Sequence, residues 1–369
     1  MASEAPPLAP MTCDSKGIAH MARVVLHVGA HKTATSFLQG LCYHNHDLLA
    51  SAGIFYPRIG PNLAHHALAA AWQKMTDLPE DFFSQSSPDQ LWDDLVRDYA
   101  KRDGTVFLSA ENFSRVWPQP IDMADLARRL APFDEVKLVY TLRQQVELIP
   151  SIWSQVSKSR SNPPELAPYL RRVFEQGMAG GVPVDHGRFY DHMLTGFAPE
   201  QIHLLDYAQI SAAPGGVLGA FLRLLGSDLN PAQFQPIAPE LANISPNALA
   251  LWLATRIWPG MLPEPERIGK IRRALGPKQL SCSLLSQEEE AQLIAHFAPL
   301  NAALVARVQA VQPGFTMSPP KTGAALYRDQ IDDQVWARIA AGLYEPPAKP
   351  RLARLGLSRL RPHLRRLLS

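Results

Sequence analysis

The chain has 369 residues, 46% hydrophobic and 19% charged, the balance of a globular protein built as one elaborated α/β domain or as two to three ordinary ones. Three cysteines, widely spaced at 13, 42 and 282, exclude a disulfide framework and speak against a structural zinc. Uncharged stretches such as 59–73 and 207–222 are too short and too polar to span a bilayer, so no transmembrane helix is expected.

The first twenty residues lack a basic region followed by an apolar run, which points to a cytoplasmic protein rather than a secreted one. The net charge of +2 hides an asymmetry. Seven of the 36 basic residues lie in 349–369, which holds no acid, leaving 29 basic against 34 acidic side chains elsewhere. A mildly acidic body gives no reason to expect a nucleic-acid footprint. The tail, KPRLARLGLSRLRPHLRRLLS, carries an imperfect leucine stripe broken at Pro362. It reads either as a disordered, solubilising end or as a segment that docks on a partner or lies peripherally on an anionic inner-membrane surface.

Residues 1–20 read as disordered, 21–345 as one domain and 346–369 as the basic tail. Within the domain, the ordered pattern opens with the β-branched strand RVVLHV (23–28), then a tight turn, then apolar residues Phe37, Leu38, Leu41 and Cys42 at helical spacing. The helix continues over 47–51 until Gly53, and 53–57 is extended. A second helical stretch covers 63–75, 76–90 is loop-like and 91–101 helical. Strand 105–109, helix 121–130 and strand 136–142 follow, the last ending at Arg143. Helices are expected over 144–159, 165–178 and 188–197, a fourth strand over 201–205, then a loop into helix 216–225. Residues 245–345 read as helical and turn-like. Strands alternating with helices predict an α/β, three-layer sandwich around a central, mostly parallel sheet. Asn112 and Asn243 begin glycosylation sequons that read as chance matches.

The most informative segment is LHVGAHKTATSFLQ, residues 26–39. A strand feeding a helix through a tight turn leaves unpaired N–H groups at the helix start, aimed at an anion. Lys32 adds charge, and Thr33, Thr35 and Ser36 add hydroxyls. Only two residues separate Gly29 from Lys32, so this is not the GxxxxGK[ST] loop, and no strand-terminal acid for Mg²⁺ is evident.

The segment resembles the 5′-phosphosulfate loop of bacterial-type sulfotransferases that use 3′-phosphoadenosine-5′-phosphosulfate (PAPS), typically H-x-G-x-x-K-T-G-T-T after a strand. Ala34 stands where that loop has glycine, tolerable if its φ is negative, and Ser36 where it has the last threonine. The resemblance implies a P-loop NTPase-like sulfotransferase fold and PAPS as co-substrate, with 3′,5′-adenosine bisphosphate (PAP) as product and no metal. It implies that backbone amides from His31 through Lys32, Thr33, Ala34, Thr35 and Ser36 hold the 5′-phosphate. Lys32 would meet the bridging oxygen and sulfuryl group, and the three hydroxyls would bond phosphate or sulfuryl oxygens. It further implies that Arg143, at a strand end, and Ser151, eight residues on, clamp the 3′-phosphate, consistent with a guanidinium fork beside a hydroxyl. The likeness runs from 23 to about 226. The turn Tyr207-Ala-Gln-Ile210 lacks the family's usual acid, and no copy of its late Arg-Lys-Gly segment is evident.

Transfer to a hydroxyl needs a base, and two candidates stay open. Glu111 follows the strand 105–109, where parallel sheets gather catalytic groups, although it would equally cap the next segment or pair with Arg115. Like charge from a bound polyanion should raise its pKa, opposed by Lys32. The alternative is His65-His66, which point about 100° apart on a helix, with the family's pattern favouring His66. His31 reads as shaping the turn and His203 as a core residue. The expected acceptor is a hydroxyl, on a carbohydrate or glycolipid by resemblance. Trp72, Phe82, Phe83, Trp117, Trp153 and Phe189 are candidates for stacking on it or for the core. Rival readings are a P-loop-like small-molecule kinase and a non-enzymatic nucleotide-binding module.

Overall fold

The computed structural model describes residues 21–75, 77–237, 246–276 and 281–344. The expectations placed on residues 1–20, on Asn243 and on the tail 346–369 lie outside these.

Strand β1 (Ala22–Gly29) is buried along nearly its whole length, as its run of Val and Leu demands. It is the centre of a five-stranded, all-parallel sheet with β2 (Ile54–Phe55), β3 (Gly104–Ser109), β4 (Glu135–Leu142) and β7 (Ile202–Asp206), in the order β2-β3-β1-β4-β7. A separate antiparallel pair, β5 (Met178–Ala179) and β6 (Val182–Pro183), lies outside it. Residues alternate across β1 with the period of a strand: Val24, Leu26 and Val28 enter one apolar cluster, Val25 the other.

The helices depart from the sequence reading where tertiary bonds compete with local pattern. Helix α1 (Thr35–His44) stops at Asn45, whose amide group bonds back to the Leu41 carbonyl, so α2 (His46–Ser51) is a separate piece. Only α3 (His66–Ala69) forms in the stretch 63–75. Its approach is held instead by the Tyr56 hydroxyl on the Leu63 carbonyl and the His65 N–H on the Ser109 carbonyl. Helices α4 (Pro88–Tyr99), α5 (Met123–Leu130), α6 (Gln145–Ser157), α7 (Leu166–Gln176) and α8 (His186–Met193) follow within a few residues of expectation. Where a loop was expected, α9 (Tyr207–Ala212) forms, capped by Asp206 on the Gln209 N–H, before α10 (Gly216–Leu224).

The last third supplies α11 (Ala248–Ile257), α12 (Pro265–Ala274), α13 (Gln287–Val308) and α14 (Asp333–Leu343). Trp92, Leu126 and Phe189 cover one sheet face, Leu38, Leu41 and Phe221 the other. The late helices form a third cluster with α6 and α7. Helix α13 ties that cluster to the sheet, placing Leu293 and Phe297 in the former and Leu304 and Val308 in the latter. By length and composition alone α13 would be apolar enough to cross a membrane.

Candidate active site

The turn after β1 has exacting backbone requirements. Gly29 has φ +117°, and a Cβ there would lie 2.8 Å from Ser114 Oγ and 3.4 Å from the Glu111 Cα. Glycine therefore lets the single-turn helix Glu111–Ser114 close on the end of β1. Lys32 and Ala34 both occupy the left-handed region, at φ 65° and 61°. The negative φ that would have made alanine easy at position 34 is not met: the position has the geometry glycine prefers, and alanine holds it at a cost of roughly 1–2 kcal/mol. Thr33 also departs from expectation. Its buried hydroxyl donates to the Ala30 carbonyl at 2.7 Å, so the side chain closes the turn and does not line the cleft. Ala34 gives α1 no side-chain cap, leaving first-turn N–H groups for a ligand.

A cavity of about 350 Å³ opens over this helix start at the C-terminal ends of β1, β3 and β4. It brings together His31, Lys32, Ala34, Thr35 and Ser36 from the turn, Glu111 from beyond β3, and Arg143 and Ser151 from the end of β4 and from α6. Arg143 Nη1 donates to the Lys32 carbonyl at 2.8 Å, and its guanidinium lies 5.3 Å from the Tyr207 ring. His186 bonds the Arg143 carbonyl at 2.9 Å and holds that backbone from behind. Burial, with repulsion from Lys158 and Arg143, pushes the Lys32 ammonium down to about 8 against the pull of Glu111. Cations crowded enough to disfavour one another make a site for an anion. His31 Nε2 and Gln155 Oε1 line the cavity and are buried without a hydrogen-bond partner, and Arg143 Nε has no hydrogen bond, its nearest carboxylate being Glu147 Oε2 at 3.9 Å, the state of groups that await a polar ligand.

Glu111 opens into the same cleft as Lys32. Its Oε2 accepts from Gln39 Nε2 at 2.9 Å and lies 3.6 Å from His66 Nε2, an ion-pair distance; its Oε1 lies 3.9 Å from His31 Nδ1. Burial would raise the Glu111 pKa, but His66, His31 and Gln39 together hold it well below the usual carboxylate range. The rise expected from the sequence was the work of a bound polyanion; in the protein alone the imidazole beside the carboxylate outweighs burial. The two adjacent histidines separate as helical geometry requires. His66 faces Glu111, whereas His65 is buried, taking the Ser109 N–H on Nδ1 and bonding the Pro57 carbonyl through Nε2 at 2.7 Å. Burial lowers His65 to about 4, so it is a neutral strut. His31 is likewise lowered to about 4, chiefly by burial.

Several neighbours escaped the sequence reading. Gln39, one turn after Ser36, was visible only as a helix residue. Asp77 reaches His66 from a loop. Phe37 and Tyr207 are the aromatic side chains at the cleft, whereas Trp153 and Phe189 are core and Trp72 packs on Trp92 and Phe113. Phe82, Phe83 and Trp117 do not line it either. On the far side of Arg143 and Ser151 a second cavity, of about 410 Å³, is walled by Lys321, Thr322, Gly323 and Ala324. Asp206 delivers that segment by taking the Ser318 N–H at 3.0 Å and its hydroxyl at 2.8 Å. Asp206, one residue before the turn Tyr207-Ala-Gln-Ile210, thus straps a segment 112 positions further along the chain. Among the described residues no group of three or more His, Cys, Asp or Glu side chains is arranged to hold a metal.

No protein-family model matches the chain, and no curated protein matches it in sequence. Solved structures of sulfotransferases are similar to it at low identity. One from Alicyclobacillus acidocaldarius is 16% identical, with 79% of this chain and 97% of that one aligned at a TM-score of 0.42. The mouse sulfotransferase SULT7A1, complexed with PAP, is 12% identical over 80% of this chain and 89% of that one, at 0.37. The sulfotransferase domain of the curacin biosynthetic pathway is 15% identical over 76% and 98%, at 0.33.

Proposed function

We propose that the protein is a PAPS-dependent sulfotransferase acting on a hydroxyl acceptor, in particular on a carbohydrate or glycolipid. The observation that carries this reading is the convergence, in one cleft, of an uncapped helix start, Lys32, the Arg143–Ser151 pair and a half-buried carboxylate. PAPS would supply an activated sulfuryl group and a PAP leaving group. The first-turn amides of α1 and the hydroxyls of Thr35 and Ser36 hold the 5′-phosphate. Lys32 meets the charge that grows on the bridging oxygen as the sulfur–oxygen bond breaks. Arg143 and Ser151 bind the 3′-phosphate, and Lys321–Ala324, beyond them, encloses the nucleoside end. Glu111 takes the acceptor proton as the new oxygen–sulfur bond forms, with in-line attack set by the fixed donor.

Two measurements test the reading together. Calorimetry without Mg²⁺ should show PAP binding tighter than ATP, and radiolabelled PAPS should pass its label to desulfated glycans or to glycolipids in a panel. Binding of Mg·ATP in preference to PAP would instead support a kinase, and PAP binding without transfer to any acceptor a binding module.

A further inference from the structure

Asp77 belongs to none of the motifs in the sequence, yet it meets the cleft through one side chain. Its Oδ2 lies 2.5 Å from His66 Nδ1, and Asn62 Nδ2 steadies the same oxygen at 3.2 Å. The other ring nitrogen of His66 points at Glu111 Oε2, 3.6 Å away, and is buried without a hydrogen-bond partner of its own. An imidazole thus stands between two carboxylates, one 41% exposed at the surface and the other 14% exposed in the cleft.

We propose that Asp77 is a positioning residue of this site: it fixes the His66 ring with Nε2 turned to Glu111, and so keeps the Glu111 carboxylate ionised and aimed into the cleft until an acceptor hydroxyl presents its proton. This rests on the reading of Glu111 as the base of a sulfuryl transfer. The bond at Nδ1 decides the ring's orientation, because a histidine with one nitrogen committed presents the other in a fixed direction. Two carboxylates then stabilise the imidazolium jointly. Burial disfavours the charged ring, but Asp77 and Glu111 more than offset it and hold His66 up at about 9. The other charged or titratable groups facing the pair among the described residues are His31 and Lys32 from the turn, His27 from β1, Tyr56 after β2, His65 beside His66, and Arg115. Burial lowers His27, His31 and His65 to about 4, which leaves His66 as the imidazole held in its charged form beside Glu111 near neutral pH.

Losing the Asp77 carboxylate should produce a change that a merely structural contact would not. With Asp77→Asn the ring loses one of its two anionic partners while its burial persists, and desolvation then prevails. In protein labelled at histidine, NMR titration should find His66 at about 9 in the parent and lower by about 2 units or more in Asp77→Asn. The acid limb of kcat/KM should move to higher pH in the same variant, since Glu111 loses the charge that kept it ionised, with PAP affinity unaltered. Asp77→Glu should restore both. An unmoved His66 titration, or a uniform fall in kcat/KM with the acid limb in place, overturns the role given to Asp77. The titration needs no turnover: a shifted His66 in a protein that transfers no sulfuryl group overturns the functional reading alone.

Discussion

Arg143→Ala separates the binding role of this arginine from its part in the fold. In the proposed complex the guanidinium pairs with the 3′-phosphate, and losing a hydrogen bond to a charged group costs roughly 1.5–3 kcal/mol, about 10- to 150-fold in Kd. The structure adds a second term. Arg143 Nη1 also holds the Lys32 carbonyl at 2.8 Å, so truncation loosens the turn that receives the 5′-phosphate. An ordinary hydrogen bond of that kind is worth about 0.5–1.5 kcal/mol. PAP should therefore lose both terms, about 2–4.5 kcal/mol, while adenosine 5′-phosphosulfate, which has no 3′-phosphate, should lose only the second. Calorimetric titration of both ligands into parent and variant reads the two terms apart. Arg143→Lys keeps a charge but not the fork, and should fall between. Equal losses for both ligands would refute the 3′-phosphate assignment and leave Arg143 as a brace for the turn.

Glu111→Gln should lower kcat by about 10²–10⁴, the usual worth of a positioned base, with PAP affinity and circular dichroism unchanged; a near-silent variant beside an inactive His66→Gln would move the base to His66. Ala34→Gly should stabilise the protein against urea by about 0.5–1 kcal/mol, because relief of the left-handed strain exceeds the added entropy of the unfolded chain; no gain would mean that the methyl's packing offsets the strain. Thermal stability should peak near pH 6.5. His27 and His65, both lowered to about 4 by burial, must be charged on unfolding, so stability is lost as pH falls from 6.5 towards 4. His66, raised to about 9, works in the opposite sense: its contribution is complete below 6.5 and lost as pH rises through 9. A melting temperature flat from pH 4 to 9 would refute this, and His65→Gln should lessen the acid-side loss, part of which His27 retains, and leave the alkaline side unchanged.

Elements whose cause is local were legible in the sequence. The run RVVLHV, the turn 29–34 and the helix after it are specified by neighbouring residues, as are the strands 105–109 and 136–142 that flank β1. Since parallel strands carry their following loops to one edge, the sequence also indicated which residues would gather there, Lys32, Glu111 and Arg143 among them. What local pattern left undecided was settled by partners distant along the chain. The helix expected over 63–75 shrank to four residues because β3 takes the His65 backbone, and α9 appeared because Asp206 caps it. Nothing near Ala34 in sequence reveals its positive φ, which follows from how the turn is closed by Thr33 on the Ala30 carbonyl and by Arg143 on the Lys32 carbonyl. The charge state of Glu111 belongs to the same class. By itself the residue is a carboxylate past a strand, whereas its depressed pKa depends on Gln39 from α1, His66 from α3 and, behind it, Asp77 from a loop. A sequence sets which groups are available; the electrostatic energy of each depends on distances that only the folded packing brings down to a few ångströms.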